Sequence, residues 1–127
     1  MVLRRRDRGA AAVEFALVLP VLLIIVFGII DFGRMLNAKI TLTEAAREGA
    51  RAAAVGTAAD GENWVTKAAA GLGTVTVPTH DSCTVAGALN SKVVVSYNFS
   101  FVTPISAFIG GGGTMTMTSE AVSPCLK

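Results

Sequence analysis

Residues 10–30 read AAAVEFALVLPVLLIIVFGII, a run of twenty-one residues in which Glu14 is the one charge. Coiled as an α-helix it extends about 31 Å, close to the ~30 Å hydrocarbon thickness of a bilayer. Arg4, Arg5, Arg6 and Arg8 stand before it and Asp31 after it. The excess of arginine keeps the N-terminus in the cytoplasm and exports everything beyond Asp31. A cleaved secretory signal is the competing reading, and it requires a shorter apolar region followed by a small-x-small site. This run is too long, and DFGRMLNAK at 31–39 offers no such site. The stretch therefore reads as a membrane anchor. Pro20 lies inside it and predicts a kink, since lipid-buried neighbours can satisfy the freed carbonyl; ending the helix there leaves two pieces too short to span.

Helical spacing continues past the anchor. Phe32, Leu36, Ile40 and Thr43 recur along one line, and Met35, Leu42, Ala46, Gly49 and Ala53 along another. Asp31 and Arg34, Glu44 and Arg47, and Glu48 and Arg51 stand three apart on the outer faces, a weakly supportive arrangement. Small residues stack at Ala45, Gly49 and Ala53 and at Ala46, Ala50 and Ala54, which permits another element to approach closely. Gly56 is a stop. The spacing predicts one helix from about Ala10 to Val55, roughly 70 Å long, half in lipid and half outside. The chain then divides into a basic leader at 1–9, a transmembrane helix at 10–30, its extracytoplasmic continuation at 31–56, and a small head at 57–127.

From Thr57 the texture changes. Asp60 is positioned to cap a short helix through about Ala70 that carries Trp64, Val65, Ala68 and Leu72 inward, before Gly71 and Gly73 break it. Three strand signals follow. TVTV at 74–77 alternates and ends at Pro78. KVVVSYNFSF at 92–101 places Val93, Val95, Tyr97, Phe99 and Phe101 on one face, and TMTMTSEAV at 114–122 does the same for Met115, Met117 and Ala121. Strict alternation describes a sheet covered on one side. The outer half of the long helix is its natural cover, which makes the fold class α+β with a three-stranded antiparallel sheet. GGGG at 110–113 connects the last two strands.

Hydrophobic content of 52% and a mean hydropathy of +0.59 are high for a soluble domain, and the excess sits in the anchor. The net charge of +2 is likewise local: the first nine residues carry +3, so the rest of the chain is slightly acidic. No basic patch remains for nucleic acid. Cys83 and Cys125 form an even pair in a small exported domain, which points to a disulfide, with two buried free thiols as the alternative. No catalytic set is present, since His80 is the single histidine. His80, Asp81, Cys83 and Cys125 could be read as a metal site, but a solvated turn beside a disulfide explains them better. GGGG has no lysine or helix start after it and is no phosphate loop. Asn98-Phe99-Ser100 is a sequon in mid-strand and reads as coincidence. Trp64 reads as core. The expectation is a protein that is not an enzyme and has no metal or cofactor.

The N-terminus carries the functional signal. RRRDRG followed by AAAVEF, residues 4–15, resembles the prepilin-peptidase site of type IV pilins and pseudopilins. The resemblance implies cleavage between Gly9 and Ala10, with Glu14 becoming the fifth residue of the mature chain. A separate physical reading exists for Glu14. A carboxylate one turn inside an apolar segment costs a few kcal/mol in lipid and needs a partner. It can pair with the new ammonium of Ala10 on a neighbouring helix, or lie shallow and snorkel towards Arg8. The basic run, Gly9 and Glu14 in register favour the pairing. Residues 8–56, with EFALVLPVLL, Asp31-Phe32-Gly33 and EAAREGARAAA, are similar to the TadE-like family of tight-adherence (Tad) pilus systems. Phe15 departs from the tyrosine common beside this glutamate in the family. The added head points to a minor pilin or pseudopilin rather than a short major pilin.

The resemblance implies a type IV pilin-like fold and a role in assembling a Tad-type pilus for adhesion or secretion. Its partners would be the membrane, a prepilin peptidase, other pilin subunits and the pilus assembly platform. The protein would sit in the cytoplasmic membrane as a single-pass chain, N-terminus inside, from which incorporation into an extracellular pilus follows. The alternative is an anchored extracytoplasmic binding module that does not polymerise. It explains the anchor, strands and cysteines equally well but makes Gly9 and Glu14 accidental.

Overall fold

A computed structural model describes residues 6–104 and 113–125 of the chain. The leader through Arg5, the side chains of Arg6, Asp7 and Arg8, and the glycines at 110–112 lie outside the described residues. Helix α1 (Arg6–Val55) runs through Pro20 as one element of 50 residues, about 75 Å long. Pro20 does not end it. The chain continues as α2 (Ala58–Ala68), a 3-10 turn (Ala70–Leu72), and strands β1 (Val75–Asp81), β2 (Asn90–Ser100) and β3 (Thr114–Pro124). The strands form one antiparallel sheet in the order β1-β2-β3. The layout is the α+β arrangement expected.

The long β2–β3 ladder pairs Val93 with Ala121, Tyr97 with Met117 and Phe99 with Met115. On β2 the alternation works as the sequence predicts: Val93, Val95 and Phe99 are buried and Asn98 and Ser100 exposed. β1 differs from expectation. It continues through Pro78 to Asp81, and its register with β2 shifts between Thr76 and Thr79. Pro78 sits in that irregularity on an edge strand, where a missing N–H breaks no ladder bond.

The core lies between the outer half of α1 and the sheet. Leu42, Ala45, Ala46, Ala50 and Ala53 of α1 meet Val65 and Ala69 of α2 and Val93, Val95, Phe99 and Met117 of the sheet. Each fully buried valine, leucine or phenylalanine stabilises the head by about 1.5–3 kcal/mol. Such side chains are few, because alanine supplies most of the helix's contribution. The small residues serve approach instead. A Cβ on Gly49 would collide with Cγ2 of Val65, and one on Gly61 would lie 2.9 Å from Ala53 Cβ and 3.0 Å from Gly49 O. The two helix backbones therefore touch through paired glycines.

That approach explains a second correction. Gly61, Val65 and Ala69 face α1, whereas Trp64 is 52% exposed and Ala68 is also outside. An indole does not fit between backbones so close. It lies on the flank, with Lys67 Nζ 5.3 Å from its ring centre. The cap differs too. Thr57 is the N-cap and accepts from Asp60 N–H at 3.2 Å, while Asp60 at N3 accepts from Thr57 N–H at 2.8 Å, a capping box.

Strand directions relative to α1 place the ends of the head. Ser91 Oγ donates to Ala50 O at 2.7 Å and the Phe99 ring lies under Arg34, so β2 runs back towards the anchor. β3 runs outward: Lys39 Nζ donates to Thr118 O, and Ser119 Oγ is 3.2 Å from Thr43 Oγ1.

Candidate assembly interface

Among the described residues, the apolar half of α1 is bare along most of its length. From Gly9 to Val26 the helix residues are exposed, among them Val13, Phe15, Leu17, Val18, Val21 and Ile24. The helix is long and apolar enough to cross a membrane. So large a bare apolar surface requires lipid or other helices around it. Glu14 is exposed within it, beside Phe15. Ala10 lies one helical turn away, about 6 Å along the axis, and Gly9 has open space around it. Gly9, Ala10, Glu14 and Phe15 thus stand together on an unobstructed stretch, with Pro20 further along the same bare surface.

Exposure does not end with the anchor. Phe32, Leu36 and Ile40, one of the two helical lines in the sequence, are 62%, 51% and 51% exposed. The helix turns Ala38, Leu42, Ala45 and Ala46 inward instead. Phe32, Met35 and Leu36 line a groove of about 370 Å³ against Met115 and Met117 of β3.

Asp31 is where the structure departs furthest from the sequence reading. Expected on an outer face, it is 3% exposed. Its carboxylate accepts from the backbone N–H of Val102 at 3.2 Å and of Thr103 at 3.3 Å, and from the Thr103 hydroxyl. Arg34 Nη1 lies 3.5 Å away and also donates to Ser100 O at 3.3 Å. The Thr103 hydroxyl, the two N–H groups and the nearby guanidinium hold the Asp31 carboxyl below its ordinary value against the opposing effect of burial. The first charged residue beyond the anchor therefore ties α1 to the end of β2. A charge at the end of the apolar run was visible in the sequence; its partner was not.

At the opposite end of the head, Cys83 and Cys125 are joined as a disulfide, with Cα atoms 5.6 Å apart. Cys83 N–H donates to Ala53 O and Cys125 N–H to Leu89 O. With both sulfurs committed to each other, they are unavailable beside His80 and Asp81 as metal ligands.

Residues 9–51 match the family model described as TadE-like protein. The chain carries a TadE-like segment. The match begins at Gly9, includes Ala10, Glu14, Pro20 and Asp31, and ends at Arg51 within α1. The TadE-like segment is thus almost wholly the long helix, and α2 and the sheet follow it. No curated protein and no solved structure matches the chain.

Proposed function

We propose that this TadE-like chain is a minor pilin or pseudopilin that takes part in assembling a Tad-type pilus through its anchor helix. The bare anchor surface bearing Glu14 one turn from Ala10 carries this reading, supported by a TadE-like match that starts at Gly9. A prepilin peptidase cuts after Gly9 on the cytoplasmic side and leaves a free ammonium on Ala10. Helices from several subunits pack side by side, and each Glu14 pairs with a neighbour's amine. Pairing neutralises two charges in a low-dielectric layer, where each alone costs a few kcal/mol, and it sets the axial register. The head is held outside the membrane, where adhesion or secretion partners meet it. N-terminal sequencing of the purified membrane or pilus fraction should begin at Ala10. Recovery of a working chain that still starts at Met1 would overturn the proposal.

The second reading, an anchored binding module, draws support from a different feature. Trp64, Val55, Ala52, Glu48 and Arg51 line an open hollow of about 210 Å³ on the head. Deleting residues 57–127 separates the two: a module loses all function, whereas the anchor of a pilin still co-assembles.

A further inference from the structure

The Asp31–Thr103 contact fixes the depth at which the head stands. The apolar run ends at Ile30, so Asp31 lies at the edge of the hydrocarbon layer, and helical side chains tilt towards the N-terminus, here towards lipid. Val102 and Thr103 are bonded to that carboxylate through their backbone N–H groups. Their backbone is consequently within a few ångströms of the same edge. Thr103 is buried by the contact, but the Val102 side chain is 70% exposed beside it. Phe32, exposed and one residue beyond Asp31, stands at the same level. Arg34 is about 4.5 Å further along the axis, inside a headgroup layer about 5–7 Å deep. Its Nη1 serves Asp31 and Ser100 O and its guanidinium lies over the Phe99 ring, while the side chain as a whole stays 43% exposed.

We propose that the anchor-proximal end of the head is a bilayer-contact surface: Val102 and Phe32 sit in the interfacial layer and Arg34 meets the lipid phosphates. The Asp31–Thr103 bond clamps β2 down onto that surface. The apolar pair is continuous with the lipid-facing anchor, and the cation lies at the depth of the anionic groups, which is where snorkelling places arginine. Phospholipid is therefore the occupant that both the apolar and the charged residues fit. This assignment rests on α1 crossing the membrane and is independent of whether the chain polymerises.

The test uses the full chain in nanodiscs, at one copy per disc, containing phospholipid brominated at shallow or deep acyl positions. Trp64 is the natural reference: on α2, beside Arg51 and Ala52 of α1, it stands about 30 Å beyond Asp31, and its fluorescence should be unquenched. In a Trp64→Phe background, Val102→Trp should lose at least half its emission to shallow bromines, less to deep ones, and shift to the blue. Met115→Trp, at the second residue of β3, should follow it more weakly. Ile24→Trp marks the anchor and should be quenched by deep bromines. If Ile24→Trp is quenched while Val102→Trp and Met115→Trp are not, the head stands clear of lipid and the proposal fails. If Ile24→Trp is not quenched either, the membrane reading has failed and the proposal falls with it. A blue shift of Val102→Trp that needs two copies per disc, without quenching, would assign this surface to a second chain and overturn the lipid assignment.

Discussion

The carboxylate of Asp31 accepts both the hydroxyl and the backbone N–H of Thr103, a residue 72 positions further along the chain. One end of this bond is the first residue after the apolar anchor, and the other is three residues beyond the end of β2. The bond couples the long apolar helix to the sheet packed on its outer half. It also gives the head a defined end at the close of the apolar run, opposite the end closed by Cys83 and Cys125.

Removing either partner should loosen the same joint. Asp31→Asn and Thr103→Val are each expected to lower the melting temperature of the detergent-solubilised chain. The double variant should lose less than the two single losses combined, because the groups act on one another. Additive losses in a thermal melt would show that they do not.

Acid should have a related effect. The folded Asp31 carboxyl titrates below its ordinary 3.8, first because of the Thr103 hydroxyl. A depressed folded value means the stabilisation is complete above about pH 4 and disappears as pH falls through the lowered value. Asp60 behaves in the same direction through the Thr57 N–H and hydroxyl. Unfolding followed by circular dichroism from pH 7 to pH 2 should show a loss confined to the acid end. Asp31→Asn with Asp60→Asn should flatten it; an unchanged pH profile in that variant would point to other carboxylates.

Gly49 and Gly33 offer a matched pair on one helix. Gly49→Ala drives a methyl into Val65 and is expected to cost about 1–3 kcal/mol by overpacking. Gly33→Ala meets nothing within 4 Å, so it should gain up to about 1 kcal/mol from helix propensity. Denaturant midpoints that move alike for both would contradict the close helix approach.

Opening the disulfide should weaken the head by about 4 kcal/mol for a closed loop of this size. Cys83→Ser together with Cys125→Ser is expected to melt well below the parent. Intact mass after thiol labelling should show no free thiol in the parent without reductant; two labelled cysteines would refute the bond.

Glu14→Gln keeps the shape of the side chain and removes its charge. Membrane insertion should be unchanged, while recovery in the sheared pilus fraction falls at least tenfold. Normal recovery would remove Glu14 from the assembly mechanism.

How far the chain could be read in advance depended on the range of the interaction that decides each element. The anchor, the helix through Val55 and the alternation of β2 are set by neighbours within a few residues, and all are present. Trp64 was misread because its size suggests burial, whereas the contact between Gly49 and Gly61 leaves no room for an indole. β1 was cut short at Pro78 because an edge position, which makes proline harmless, is a property of the sheet and not of the segment. Phe32, Leu36 and Ile40 follow a helical line, but periodicity does not say which of two lines a sheet will cover.

Composition and period, by themselves, determined that this protein has one long apolar helix after a basic N-terminal stretch and a small one-sided sheet, because hydrophobic transfer and backbone spacing act locally. Tertiary structure alone decided that the line through Leu42 and its alanines, not the one through Phe32, Leu36 and Ile40, faces the sheet, and that Asp31 is bonded to Thr103. The reason is the same for both. Close backbone approach and the pairing of a buried carboxylate depend on groups brought together by chain reversal, and nothing near either partner in the sequence records where the other will be.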